Sequence, residues 1–124
     1  MPTARVAFYK DSDGTVPVLD WFARLPAKAQ AKCFERIQYL CEVGHEARRP
    51  HADYLRDGIY ELRAKWGRVN YRILYFFHGN IAVVLSHGLV KENRVPPKEI
   101  DRARERKATF DANPAQHTYE GEAN

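Results

Sequence analysis

Residues Asp57 to Arg94 read DGIYELRAKWGRVNYRILYFFHGNIAVVLSHGLVKENR. The stretch is rich in Ile, Leu, Val, Tyr and Phe, side chains that suit a pleated, half-buried surface. Trp66-Gly67 and Gly79-Asn80 punctuate it. It predicts three consecutive strands: Ile59 to Lys65, Asn70 to His78 and Ile81 to Lys91.

Successive residues of a strand point to opposite faces. Tyr60, Leu62 and Ala64 therefore share one face of the first strand, and Ile59, Glu61, Arg63 and Lys65 the other. In the second strand Tyr71, Ile73, Tyr75 and Phe77 oppose Asn70, Arg72, Leu74 and Phe76. The apolar sets must lie on the same side, because a one-residue slip inverts every side chain. The connection from Trp66 to Val69 satisfies this by pairing Lys65 with Asn70 and Arg63 with Arg72. A two-residue turn at Gly79-Asn80 would pair His78 with Ile81 and set Arg72 opposite His87. Arg63, Arg72 and His87 then form one row, with Glu61 diagonal to Arg72 and Lys91 further along. A three-residue loop would move His87 to the other face.

Two arginines directly opposite each other repel unless an anion lies between them. Guanidinium groups also match phosphate geometry, offering paired donors in a fixed fork. The row reads either as a phosphate-binding face with an imidazole beside it, or as a salt bridge from Glu61 to Arg63 or Arg72 with His87 an ordinary polar residue.

At 124 residues and 44% hydrophobic content, the chain reads as one globular domain with a real core. The net charge of +4 is modest, so its location matters more than its size. Residues 1–47 balance, while 48–73 carry net +4 and 91–107 net +3. The excess thus sits on the strands and the segment after them, which suggests a polyanionic partner. Cys33 and Cys41 lie about two turns apart on a predicted helix, too far for a disulfide. They lack metal-site spacing and read as buried thiols in a reducing compartment. No apolar run is long enough to span a bilayer, and no signal peptide is evident, so the cytoplasm is expected.

Arg5 to Lys10 is expected as a short strand at a sheet edge, followed by a turn at Asp11 to Thr15. Pro17 to Arg24 reads as a short helix. Pro26 opens a longer one with a stripe of Phe34, Ile37, Leu40 and Cys41, Cys33 beside it, and Gly44 as C-cap. The two helices form a hairpin expected to cover the Tyr60/Leu62/Ile73/Tyr75 face and to leave the Arg63/Arg72 face open. His45 to Arg56 reads as a polar, solvated connection, and its Arg48, Arg49 and His51 could add positive charge to the rim of a site. Pro96 and Pro97 open a last helix to about Phe110. Residues 111–124 read as an acidic, disordered tail. Neither Ser12 nor Ser86 has sequence support as part of a Ser/His/Asp nucleophile arrangement.

In this order, strand-helix-helix-three strands-helix, the motifs DGIYELR, YRILYFF and HGLVKENRVPPKEIDRA, with WFARLP at Trp21 to Pro26, resemble the phage-derived HigB-type toxins of the RelE/ParE superfamily. The resemblance covers roughly Val16 to Phe110. It implies an α+β, RelE-like fold: a β-α-α-β-β-β-α chain with an antiparallel sheet of about four strands and a helical hairpin on one face, within 1–110. It also implies the toxin of a type II toxin–antitoxin pair, a ribosome-dependent and metal-independent messenger-RNA endonuclease that needs no cofactor. The expected partners are messenger RNA on the ribosome and a helix-turn-helix antitoxin, with no membrane.

Cleavage by attack of a 2′-hydroxyl on its phosphate needs a base, cations for the pentacoordinate phosphorus and an acid for the leaving 5′-oxygen. By position, Arg63 matches the Arg of the family's ELR motif and Arg72 that of its YR motif. Lys91 matches the first lysine of a KK pair, and His87 is the candidate acid or base. Lys65, Arg68, Arg48, Arg49 and Arg94 are candidate RNA contacts. Glu61 is a possible base or a salt-bridge partner. Departures occur at Glu92, which replaces the second lysine, at Leu89, and at Glu61, where one branch carries a catalytic lysine. The alternatives are a non-catalytic, ParE-like toxin that inhibits DNA gyrase and a basic RNA- or DNA-binding regulator.

Overall fold

The computed structural model describes residues 5–79, 82–90 and 94–119. Strand β1 (Arg5–Tyr9) leads into helices α1 (Pro17–Ala23) and α2 (Ala27–Val43), then a 3-10 turn at Gly44–Glu46. Strands β2 (Ala52–Arg56), β3 (Ile59–Trp66), β4 (Val69–His78) and β5 (Ala82–Val90) follow. Helices α3 (Pro97–Ala112) and α4 (Pro114–His117) and strand β6 (Thr118–Tyr119) end the described chain. The result is a mixed α+β fold with a six-stranded sheet, ordered β2-β3-β4-β5-β1-β6.

The hairpin of α1 and α2 covers the expected face. Val18, Trp21, Ala29, Cys33, Ile37 and Leu40 pack against Leu62, Ala64, Tyr71, Ile73, Tyr75, Val83 and Leu85. Pro17 sits at the start of α1, where its missing N–H costs nothing. Gly44 ends α2 with φ +55°, a conformation that favours glycine. Trp21 lies over Gly88, where an added Cβ would fall inside its ring, so only glycine lets α1 approach β5 this closely. The buried stripe of α2 is Ala29, Cys33, Ile37 and Leu40, rotated from the expected one. Phe34 and Cys41 are exposed, because they lie off the Ala29/Cys33/Ile37/Leu40 stripe that faces the sheet. Burial pushes the Cys33 thiol up to about 11.

The sheet departs from expectation in extent. A polar run inside the predicted connection forms β2, whose Ala52 and Tyr54 pair with Leu62 and Tyr60. Its period-2 pattern is short and half polar, as suits an outer strand. β1 is not an edge: it pairs in parallel with β5 and antiparallel with β6. Order also continues past Phe110, where a disordered tail was expected. Asp111 and Ala112 complete α3, and the Asn113 side chain accepts from the Gln116 N–H at 3.4 Å. His117 stacks on Tyr9 with ring centres 5.6 Å apart and donates from Nδ1 to the Lys10 carbonyl at 2.7 Å. These local ties outweigh the polar composition that suggested disorder.

The second sheet face is half covered. Val95, Ile100, Ala103 and Phe110, from the approach to α3 and the helix itself, pack on Tyr9, Ile59, Leu74, Phe76 and Val84. The expectation of an open face is therefore corrected: α3 covers the part of it built from Tyr9, Ile59, Leu74, Phe76 and Val84, while Arg63 stays partly exposed. Among the described residues no helix is long and apolar enough to cross a membrane.

Candidate functional site

The hairpin of β3 and β4 has the expected register. Lys65 pairs with Asn70 and Arg63 with Arg72. The anion that two opposed arginines require is Glu61. Its Oε2 accepts from Arg63 Nε at 3.0 Å and Nη2 at 2.7 Å, and its Oε1 from Arg72 Nη1 at 2.8 Å. Charge-assisted bonds of this length are the strong ones. The salt-bridge reading of Glu61 is thus realised, and both arginines share the one carboxylate. The network runs on to the sheet edge. Asp53 Oδ2 accepts from Arg63 Nη2 at 3.2 Å and from Arg49 Nε at 3.0 Å. Three guanidiniums against two carboxylates leave one positive charge. Arg72 Nε is buried and has no partner among the described residues.

His87 is elsewhere. His78 pairs with Ala82, so three residues separate the strands rather than two. Alone, that would turn His87 to the other face. A bulge at Ser86 then restores it, since Tyr75 pairs with Leu85 but Leu74 with His87. Together the two steps slide β5 by two residues. Leu89 faces Arg72, and the expected row of Arg63, Arg72 and His87 does not form. His87 falls instead in the row of Asp53, Glu61 and Leu74, with Leu74 between it and Glu61.

The bulge also brings Ser86 and His87 together beneath α3. Ser86 Oγ lies 2.8 Å from His87 Nδ1, and His87 Nε2 lies 3.0 Å from Glu99 Oε1. With the imidazole neutral, Ser86 donates to Nδ1 and Nε2–H donates to Glu99. Burial foremost, then the positive charge of Arg106, lowers the His87 pKa to about 4 despite the Glu99 hydrogen bond. The string has the residue types of a nucleophilic triad, but Ser86 is 0% exposed and no substrate reaches it. It is a polar tie between β5 and α3.

The other candidates separate by position. Lys65 and Arg68 are exposed at the tip of the β3–β4 hairpin, and Arg94 is exposed ahead of α3. Arg48 and Arg49 are exposed before β2. Lys91 lies outside the described residues. The structure thus gathers Arg63, Arg72, Glu61 and Arg49, and leaves His87 apart. Sequence reading missed Asp53, Ser86 and Glu99. Alternation in Ala52-Asp53-Tyr54 was the available signal for the first, but nothing local marks the other two.

The fold and site define a small α+β protein with an arginine–carboxylate network on a half-open sheet face. A comparison with curated proteins found no match. Over residues 20–108 the chain matches the family described as Phage derived protein Gp49-like and belongs to it. This is a RelE-related, toxin-like family of toxin–antitoxin systems.

Proposed function

We propose that the protein is a RelE-like, HigB-type toxin of a type II toxin–antitoxin pair that cleaves messenger RNA on the ribosome. The observation that carries this reading is the Arg63–Arg72 pair. The two guanidiniums converge from facing strands with one positive charge in excess across their network, and Arg72 holds an unmatched buried donor. Such preorganised donors suit the charge that develops on a phosphorane. In the reaction the substrate's own 2′-oxygen attacks phosphorus and the bond to the 5′-oxygen breaks. The products are a 2′,3′-cyclic phosphate and a 5′-hydroxyl. Arg63 and Arg72 hold the phosphoryl oxygens, and Glu61, which lies between them, takes the 2′-proton once a phosphate replaces it as their counter-ion. With His87 closed off, the acid for the leaving oxygen is assigned instead to Lys91, the match to the first lysine of the family's KK pair. The mechanism needs no metal or cofactor. The partner is a helix-turn-helix antitoxin, and the compartment is the cytoplasm.

The burial of His87 favours a second reading, a non-cleaving toxin of the same fold such as a gyrase inhibitor, because the expected acid or base is closed off. Induced expression of wild type beside Arg72→Ala separates the two. Growth arrest with messages cut only during translation, both lost in a folded Arg72→Ala protein, supports the endonuclease. Arrest with intact messages moves the second reading ahead. Undiminished cutting by Arg72→Ala sinks the site.

A further inference from the structure

The turn after α2 and the first residues of β2 and β3 border an open cleft of about 470 Å³, within the size of ordinary ligand sites. Arg48, Arg49, Asp53, Tyr54 and Tyr60 line it, and the small Ala52 leaves its room. Tyr54 and Tyr60 are paired across β2 and β3, with ring centres 5.0 Å apart at 66°. They make a corner of two aromatic walls. Tyr60 is braced from behind by Tyr75, stacked at 5.3 Å and 19°. The Tyr54 hydroxyl accepts from the Gly58 N–H at 3.2 Å, which holds the ring although it is 54% exposed.

A large, fixed and exposed aromatic beside two exposed guanidiniums has a recognisable chemistry. Bases stack on such rings whatever their identity, while arginines take the phosphates. Asp53 connects the cleft to the other sheet face, since its Oδ2 accepts from both Arg49 and Arg63. A strand whose phosphate lies at Arg63 and Arg72 can pass round the β2 edge into the cleft.

We propose that the cleft holds one nucleotide of a single-stranded RNA, its base against Tyr54 and its phosphate at Arg48 and Arg49. This deepens the RNA-directed reading above and rests on it. An acidic peptide would satisfy the arginines but leaves the flat aromatic corner unmatched.

The test is fluorescence anisotropy with the full chain and a labelled 2′-O-methyl octanucleotide, which lacks the 2′-hydroxyl that attacks. Wild type is expected to bind it roughly tenfold more tightly than an octamer with abasic sites, and Tyr54→Ala to lose about that factor. Tyr54→Phe keeps the stacking ring but loses its tie to Gly58, so it should keep most of the affinity. On the abasic octamer, wild type and Tyr54→Ala should bind alike. Equal binding of intact and abasic octamers by wild type overturns the proposal even where Tyr54→Ala fails to fold. Equal loss by Tyr54→Ala on both octamers overturns it too, because the change then acts through the fold. Displacement by a poly-glutamate peptide at matched charge would make the cleft a protein-binding or general polyanion site and also overturn it. Growth arrest and message cutting report separately. If they fail while Tyr54 dependence holds, the endonuclease reading falls and the cleft stands.

Discussion

Glu61 and His87 lie in one cross-strand row with Leu74 between them, and both are buried, yet they meet their partners in different settings. Glu61 is held by arginines whose far ends lead to water: the Arg63 side chain is 34% exposed and that of Arg49 75%. His87 is held by Ser86 and Glu99 under α3, and its string ends in protein. The first arrangement can exchange its carboxylate for an incoming anion at its open side. The second can open only if α3 lifts. Where one helix lies thus decides which ionisable group is available for chemistry.

The largest effect that would break this contrast is at Glu61. Glu61→Ala leaves the largely buried Arg72 without its carboxylate and Arg63 with Asp53 alone. Removing one partner of such a pair costs about 3 kcal/mol or more. Urea unfolding should show it, with Glu61→Gln losing less because an acceptor remains. A neutral outcome for Glu61→Ala would mean that solvent already screens the arginines.

The next effect sharpens the closed half. A free histidine titrates near 6.5, and His87 in the folded protein near 4. Between those values the unfolded chain takes up a proton that the native chain refuses. Stability should therefore be full above about pH 6.5 and fall as the pH drops towards 4, by up to about 3 kcal/mol, then level off for this group. His87→Gln should flatten that slope in denaturation curves taken across the window. Persistence of the wild-type slope would place the titration elsewhere.

The smallest effect lies at the hairpin tip. Lys65→Ala and Arg68→Ala touch exposed side chains and should change stability by no more than about 0.5 kcal/mol. If each meets a phosphate, each should lower the salt dependence of single-strand RNA binding by about 0.7 in log–log slope. An unchanged slope would confine the RNA path to the Arg63 and cleft side.

The readable part of this molecule was its β3–β4 hairpin. Seven side chains of alternating character on each strand, with a short connection, allow one register only, so Arg63 opposite Arg72 follows from pattern. The β4–β5 register did not follow. Two departures of one residue each, a longer connection and the bulge at Ser86, cancel in face but add in position, and polarity alternation is blind to a shift of two. β2 was hidden because an outer strand needs few apolar residues once its neighbour supplies the pairing. The burial of His87 was hidden because it depends on where α3 docks. Ile100 and Phe110 gave that helix an apolar side but not an address on the sheet.

The parallel seat of β1 has a consequence for how the chain is made. Among the described strands the earliest, β1, lies between β5 and β6, the two that follow all the others in the chain. Its backbone donors and acceptors have no sheet neighbour until residues 82–90 have been synthesised, so the sheet cannot close from the N-terminus onward. β2, β3 and β4 can pair as they emerge, and β1 must be brought back across the helical hairpin to complete the array. A chain that ends before β5 can therefore carry the arginine network of β2, β3 and β4 while its leading strand stays unmatched, and the closed sheet belongs only to translation carried past β5.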